Sequence, residues 1–153
     1  MSNPNTPGQV DVRGPRFAAW ITTAVLVLTL LVSGVNPRAA AIILGAQSIV
    51  FAIGAIAGPR RHPYGLVFAK LVAPRLSPVR EREPVAPLKF AQLVGLIFAA
   101  PASIGLATGA LLFGVVLTAA ALVAAFLNAA FGICLGCQLY PLVARLKPAH
   151  STS

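Results

Sequence analysis

The chain has 153 residues, of which 58% are hydrophobic and only 10% charged, and its mean hydropathy is +0.85. A soluble domain carries about 25% charged residues, so this chain lacks the polar surface of a water-soluble globule, and it is far too apolar for a disordered one. Twelve Lys and Arg against three Asp and Glu give a net charge of +9. On so apolar a chain that excess sets membrane orientation and meets anionic lipid, and nucleic acid is not an expected partner.

Residues 1–16 are polar and hold Pro4, Pro7, Gly8, Gly14 and Pro15, which predicts a disordered tail. No charge occurs between Arg16 and Arg38, nor between Arg38 and Arg60. Each gap is about 31 Å long as a helix, close to the roughly 30 Å of a bilayer core. The expected spans are about 17–34 and 39–58, joined by a tight turn at Val35, Asn36 and Pro37. Residues 59–89 hold seven of the basic residues and two of the acids, and form the main polar loop. Within it Leu66, Val67, Leu71 and Val72 are expected to lie on the membrane surface, with Lys70 and Arg75 reaching headgroups.

From Phe90 to Ala144 no residue is charged, enough chain for two more spans. These are expected at about 89–107 and 110–131, with the break at 105–109 and Pro101 kinking or weakening the third helix. Small-residue strips around Gly45 and Gly54, Gly105 and Gly109, and Ala119 to Ala125 are expected to pack the bundle. A short amphipathic helix over 139–146 follows, and 148–153 is a second disordered tail. The fold class is therefore an all-α integral membrane protein, a four-transmembrane-helix bundle over 17–147 with a cytoplasmic basic loop and short interfacial helices. Residues 1–16, the 59–89 loop and the segment after the fourth span carry eleven basic residues on one side, against Arg38 alone on the other. That asymmetry predicts both termini in the cytoplasm of a multi-pass inner (plasma) membrane protein. The first apolar run is long for a signal peptide, and Pro37-Arg38 interrupts the zone of cleavage.

The residues with chemistry to offer are few. Cys134 and Cys137 are the only cysteines and sit as Cys-Leu-Gly-Cys. That spacing closes a disulfide or grips a soft metal, and a helix starting near Cys137 would favour its thiolate. In a reducing compartment a permanent disulfide is not expected, so a reversible dithiol or sulfur carrier leads. Two buried, inert cysteines and a metal pair are the alternatives. A zinc site would need two further ligands, and His62 and His150, each alone in sequence, are expected to be solvent-exposed. Glu81 and Glu83, in Arg-Glu-Arg-Glu-Pro, are candidate proton partners of the thiols; the plainer reading is a charge cluster that pairs with itself and anchors the third helix. No Asp, Glu, Lys or Arg lies inside a span, which argues against an ion-coupled transporter. Nucleotide-binding glycine motifs and hydrolase motifs are absent.

Glu83-Pro84, Pro87, Lys89-Phe90-Ala91-Gln92, then Cys134, Gly136, Cys137 and Tyr140, with Asn36 and Arg38 upstream, resemble the DUF4395 family of small bacterial integral membrane proteins over about 10–145. Lys89 stands where the family pattern has Arg, which keeps the charge but loses bidentate pairing. The family is of unknown function. Its members are often encoded near thioredoxin-like proteins and sulfurtransferases, so the resemblance implies thiol or sulfur traffic at the membrane and a partner of one of those kinds.

Three functional readings follow. The first is thiol–disulfide or sulfur-relay chemistry at Cys134 and Cys137, with electrons passing to a partner protein or to a quinone, although no cofactor motif is visible. The second is a non-enzymatic membrane subunit or scaffold with structural cysteines, and the third a soft-metal-binding membrane protein.

Overall fold

The computed structural model describes residues 9–58, 61–76, 82–133 and 135–146. Four long helices dominate: α1 (Arg13–Ser33), α2 (Pro37–Ala57), α4 (Val85–Thr108) and α5 (Leu111–Phe131), each long and apolar enough to cross a membrane. Between α2 and α4 lie a short helix α3 (Pro63–Val67), a π turn (Phe68–Val72) and a 3-10 turn (Ala73–Arg75). Helix α6 (Leu135–Leu146) ends the described chain. Among the described residues the one departure from an all-helical fold is a two-stranded antiparallel ladder. In it β1 (Gln9–Asp11) pairs with β2 (Arg82–Pro84), Val10 opposite Glu83.

Helix ends differ from the charge-gap estimate by a few residues, for local reasons. Of the tail expected over 1–16, residues 9–11 form β1 and α1 begins at Arg13. The Asp11 carboxylate accepts from the Arg13 backbone N–H at 3.0 Å and pairs with its guanidinium at 2.9 Å, placing a negative charge at the helix's positive end. Asn36 caps α2 by accepting from the Ala39 N–H at 3.1 Å, with Pro37 at the first helical position, the arrangement that suits a missing N–H. Helix α4 runs through Pro101 without ending there. Gly132 closes α5 in the left-handed conformation at φ 69°, which costs a residue without a Cβ least.

The four long helices pack in a ring, α1 on α2, α2 on α4, α4 on α5 and α5 on α1, and α6 lies along α4. The centre is built from Leu26, Leu44, Phe51 and Leu106 together with small side chains, Ala40, Ala41, Ala99, Ala102 and Ala121. Large apolar residues point outward instead. Ile42, Ile49 and Ile56 fall seven apart on one face of α2 and are all exposed, a stripe at helical spacing. Hydroxyls inside the bundle are satisfied by backbone: Thr23 donates to Ala19 O, Ser48 to Leu44 O and Thr118 to Gly114 O on their own helices. Ser103 donates across to Ala41 O on α2 at 2.8 Å.

Close approach between α4 and α5 depends on Gly114. A Cβ there would lie 2.7 Å from Leu106 Cγ and 3.0 Å from Ala102 O, and the buried Leu106 has no room to yield. Gly114→Ala is expected to destabilise the bundle by about 1–3 kcal/mol when unfolding is titrated in detergent micelles. Gly34→Ala, whose Cβ meets nothing nearer than Leu31 O at 3.6 Å, is expected to stay within about 0.5 kcal/mol of the parent.

Candidate functional site

The antiparallel ring brings the start of α1, the end of α2, the start of α4 and the end of α5 to one end of the bundle. Contacts from four separate parts of the chain meet there. Arg16 donates from Nη2 to Ala129 O at 3.1 Å and Ala130 O at 3.4 Å, so a guanidinium sits on the negative C-terminal end of α5. The β1–β2 ladder ties the start of α1 to the start of α4. Helices α3 and α6 cover the same end, α3 on α1 and α6 on α4.

Of the sequence candidates, Cys134 and Glu81 lie outside the described residues. Cys137 falls in the first turn of α6, which starts at Leu135, four residues before the amphipathic helix expected over 139–146. Glu83 is in β2, its backbone paired with Val10. Helix α6 and β2 thus both adjoin α4, at the same end of the bundle. His150 is also outside the described residues. Among the described residues no three His, Cys, Asp or Glu converge as a metal site would require.

The most polar buried feature was not expected from the sequence. His62 is not solvent-exposed: it retains 3% of its accessible surface. Its Nδ1 accepts the Tyr64 backbone N–H at 3.2 Å, capping α3, and its Nε2 lies 3.2 Å from Gln92 Oε1 on α4. The Tyr64 hydroxyl donates to Gln47 Oε1 on α2 at 2.7 Å, and the two rings meet edge to face at 5.1 Å. Gln47 is 1% exposed and its Nε2 has no hydrogen-bond partner among the described residues.

Room for the cluster comes from Gly54. A Cβ at that position would lie 2.7 Å from His62 Cδ2 and 2.9 Å from Gln92 Oε1. Burial lowers the His62 pKa below 6.5, with the Gln92 hydrogen bond opposing, and burial raises that of Tyr64. Two sequence signals pointed to the cluster: a capping residue directly before Pro63, and glutamines placed within apolar spans.

Successive residues of the Lys-Phe-Ala-Gln run serve different neighbours. A Cβ on Gly58, at the end of α2, would meet Lys89 Cδ at 3.7 Å. Phe90 meets Tyr140 of α6 edge to face, with centroids 5.9 Å apart. Gln92 reaches His62. A family model described as "Domain of unknown function (DUF4395)" matches residues 10–145. The chain belongs to the DUF4395 family. No curated protein and no solved structure matches it. The residues by which this DUF4395 chain resembles its family therefore include a helix cap (Asn36), an α4–α6 ring contact (Phe90, Tyr140) and one member of the buried cluster (Gln92).

Tyr64→Phe removes the donor to Gln47 and leaves both ends of a buried amide unpartnered. It is expected to cost about 1–3 kcal/mol of stability. Replacing both partners with apolar groups, as in the double variant Tyr64→Phe with Gln47→Leu, is expected to restore most of the loss. Unfolding of the two proteins in the same micelles measures it, and a double variant no better than the single one would show that the bond is not what fixes α3.

Proposed function

We propose that this chain is a multi-pass membrane protein with both termini in the cytoplasm, and that Cys134 and Cys137 act as a reversible dithiol at its cytoplasmic edge. The supporting observation is the position of Cys137 in the first turn of a 12-residue helix, where the positive end of the helix favours a thiolate. Orientation rests on charge. Every basic residue of the sequence except Arg38 falls within 13–16, 60–89 or 145–147, the segments assigned to one side by the proposed topology, and such an excess stays in the cytoplasm.

In the proposed step a thiolate of the pair attacks a partner's disulfide and expels one partner thiolate. The second cysteine then attacks the mixed disulfide. The pair ends as a disulfide, the partner as a dithiol, and two electrons have moved to the partner; the reverse reaction regenerates the dithiol. Glu81 and Glu83 are the proposed acceptors of the thiol protons. The partner is of thioredoxin-like or sulfurtransferase-like chemistry and docks on the basic end. Leu66, Val67 and Leu71, exposed beside the exposed Lys70 and Arg75, form a surface suited to an anionic lipid headgroup layer.

Labelling with a membrane-impermeant maleimide tests the proposal. In inverted vesicles the thiols are expected to react, to react more after mild reduction, and to show half-maximal rate at least one unit below the free-thiol pKa of about 8.5. Cys137→Ser is expected to abolish the reduction-dependent part. Labelling from the outer face would overturn the orientation. Thiols that stay unreactive from both faces after reduction would leave a scaffold with inert cysteines.

A further inference from the structure

The cluster of His62, Tyr64, Gln47 and Gln92 has no part in thiol exchange, yet its hydrogen bonds are arranged so that one proton decides whether they hold. A backbone N–H can only donate, so the Tyr64 contact requires an unprotonated Nδ1. A neutral ring then carries its hydrogen on Nε2, and Gln92 Oε1 is placed to accept it. Both ring nitrogens are used, and only one tautomer of the neutral ring uses them. A second proton would sit on Nδ1 and face the Tyr64 N–H, donor against donor. The cap of α3 would be lost, and an imidazolium would be held where 3% of the residue is accessible.

No neighbouring group shown to contact His62 would compensate that charge. Its surroundings are the neutral Tyr64 of its own segment, Gly54 of α2 and Gln92 of α4. Lys89 on α4, three residues before Gln92, and the exposed Arg61, which precedes His62 in the chain, are basic residues. On α1, which packs against α3, the Arg13 guanidinium pairs with Asp11 and Arg16 caps α5. Among the described residues nothing offsets a proton on His62, which is then accommodated by exposure of the ring to water.

The segment that would have to move is lightly held. Beyond the His62 and Tyr64 contacts its main anchor is Phe68, whose ring lies where a Cβ on Gly14 would meet it at 3.4 Å and packs on Phe17 at 5.7 Å between ring centroids. Leu66, Val67, Leu71 and Leu76 are exposed. We infer that His62 is a proton-operated latch: in its neutral form it holds residues 61–76 against the end of the bundle, and its protonation releases them.

The sign follows from linkage. The pKa of His62 is lower in the latched state than the 6.5 of a free side chain, so the released state binds the proton better. The latch is at full strength above pH 6.5 and weakens by about tenfold per pH unit below it, until the latched pKa is reached. Neither the direction nor the size of this effect depends on the cysteines.

Hydrogen exchange read by mass spectrometry on the full chain in detergent tests the latch. Protection, corrected for intrinsic rates, is expected to fall for peptides from 61–76 between pH 7.5 and 5.0, with α2 and α4 unchanged. In His62→Gln the protection of this segment, whatever its level, is expected not to vary with pH. Tyr64→Phe keeps the titrating ring on a weaker latch, and its release is expected nearer pH 6.5. Wild-type protection that stays flat with pH, the same pH dependence in His62→Gln, or a loss shared equally by all helices would each overturn the inference.

Discussion

A polar group that enters an uncharged helix of some twenty residues must find its partner inside the protein, and that constraint orders this molecule. In the bilayer core proposed for these helices no water is present to satisfy it, and an unpaired group costs several kcal/mol. The hydroxyls of Thr23, Ser48 and Thr118 answer by folding back on their own helices. The longer side chains cannot, so Gln47 and Gln92 must be met by another element. That element is α3, whose His62 and Tyr64 reach α4 and α2 respectively. The short helix is thus held less by apolar burial than by the need of two glutamines for partners.

The same constraint explains the inverted packing. In the bilayer proposed for this chain, lipid tails and leucine side chains do not differ in polarity, so helices gain from close approach and interlocking rather than from hiding apolar surface. Small residues accordingly occupy the contacts. Ala40 and Ala41 of α2 and Ala99 and Ala102 of α4 belong to the buried core, and Gly54 admits the imidazole. The large side chains, such as Ile42, Ile49 and Ile56, are left on the outside, where a soluble protein would place its charges.

The four long helices were legible because charge is excluded from all but their ends: Arg16, Arg38 and Arg60 bracket the apolar stretches of two, and the charge-free run from Phe90 contains α5 and all but the first turn of α4. Their ends were less legible, since Arg13 and Arg16 lie within the first turn of α1 and use their side chains on Asp11 and on the α5 carbonyls. Those partners are respectively two and 113 residues away, and the second distance has no trace in a local pattern. The ladder of β1 and β2 escaped for the same reason, its three-residue strands being too short to show alternation. His62 was misjudged because a lone histidine among basic and proline residues reads as solvated. Its burial depends on Gly54 and Gln92, and the latter is thirty residues further on.

The start of α4 is where these parts meet. Phe90 and Gln92 are two residues apart and so point about 200° from one another around the helix. One faces Tyr140 on α6, the helix that carries Cys137 in its first turn, and the other faces His62 on α3. A single rigid turn thus stands between the candidate dithiol and the candidate latch. Spatial intermediacy alone does not make a coupling; that requires an element with two arrangements that both sites bias. The α3 segment has the makings of such an element, because the hydrogen bond that holds it to α4 is tied through the ring to the one that caps it. Any influence of one site on the other would therefore pass through a change in how Gln92 is engaged, and hence through the same turn of α4 that positions Phe90 against α6.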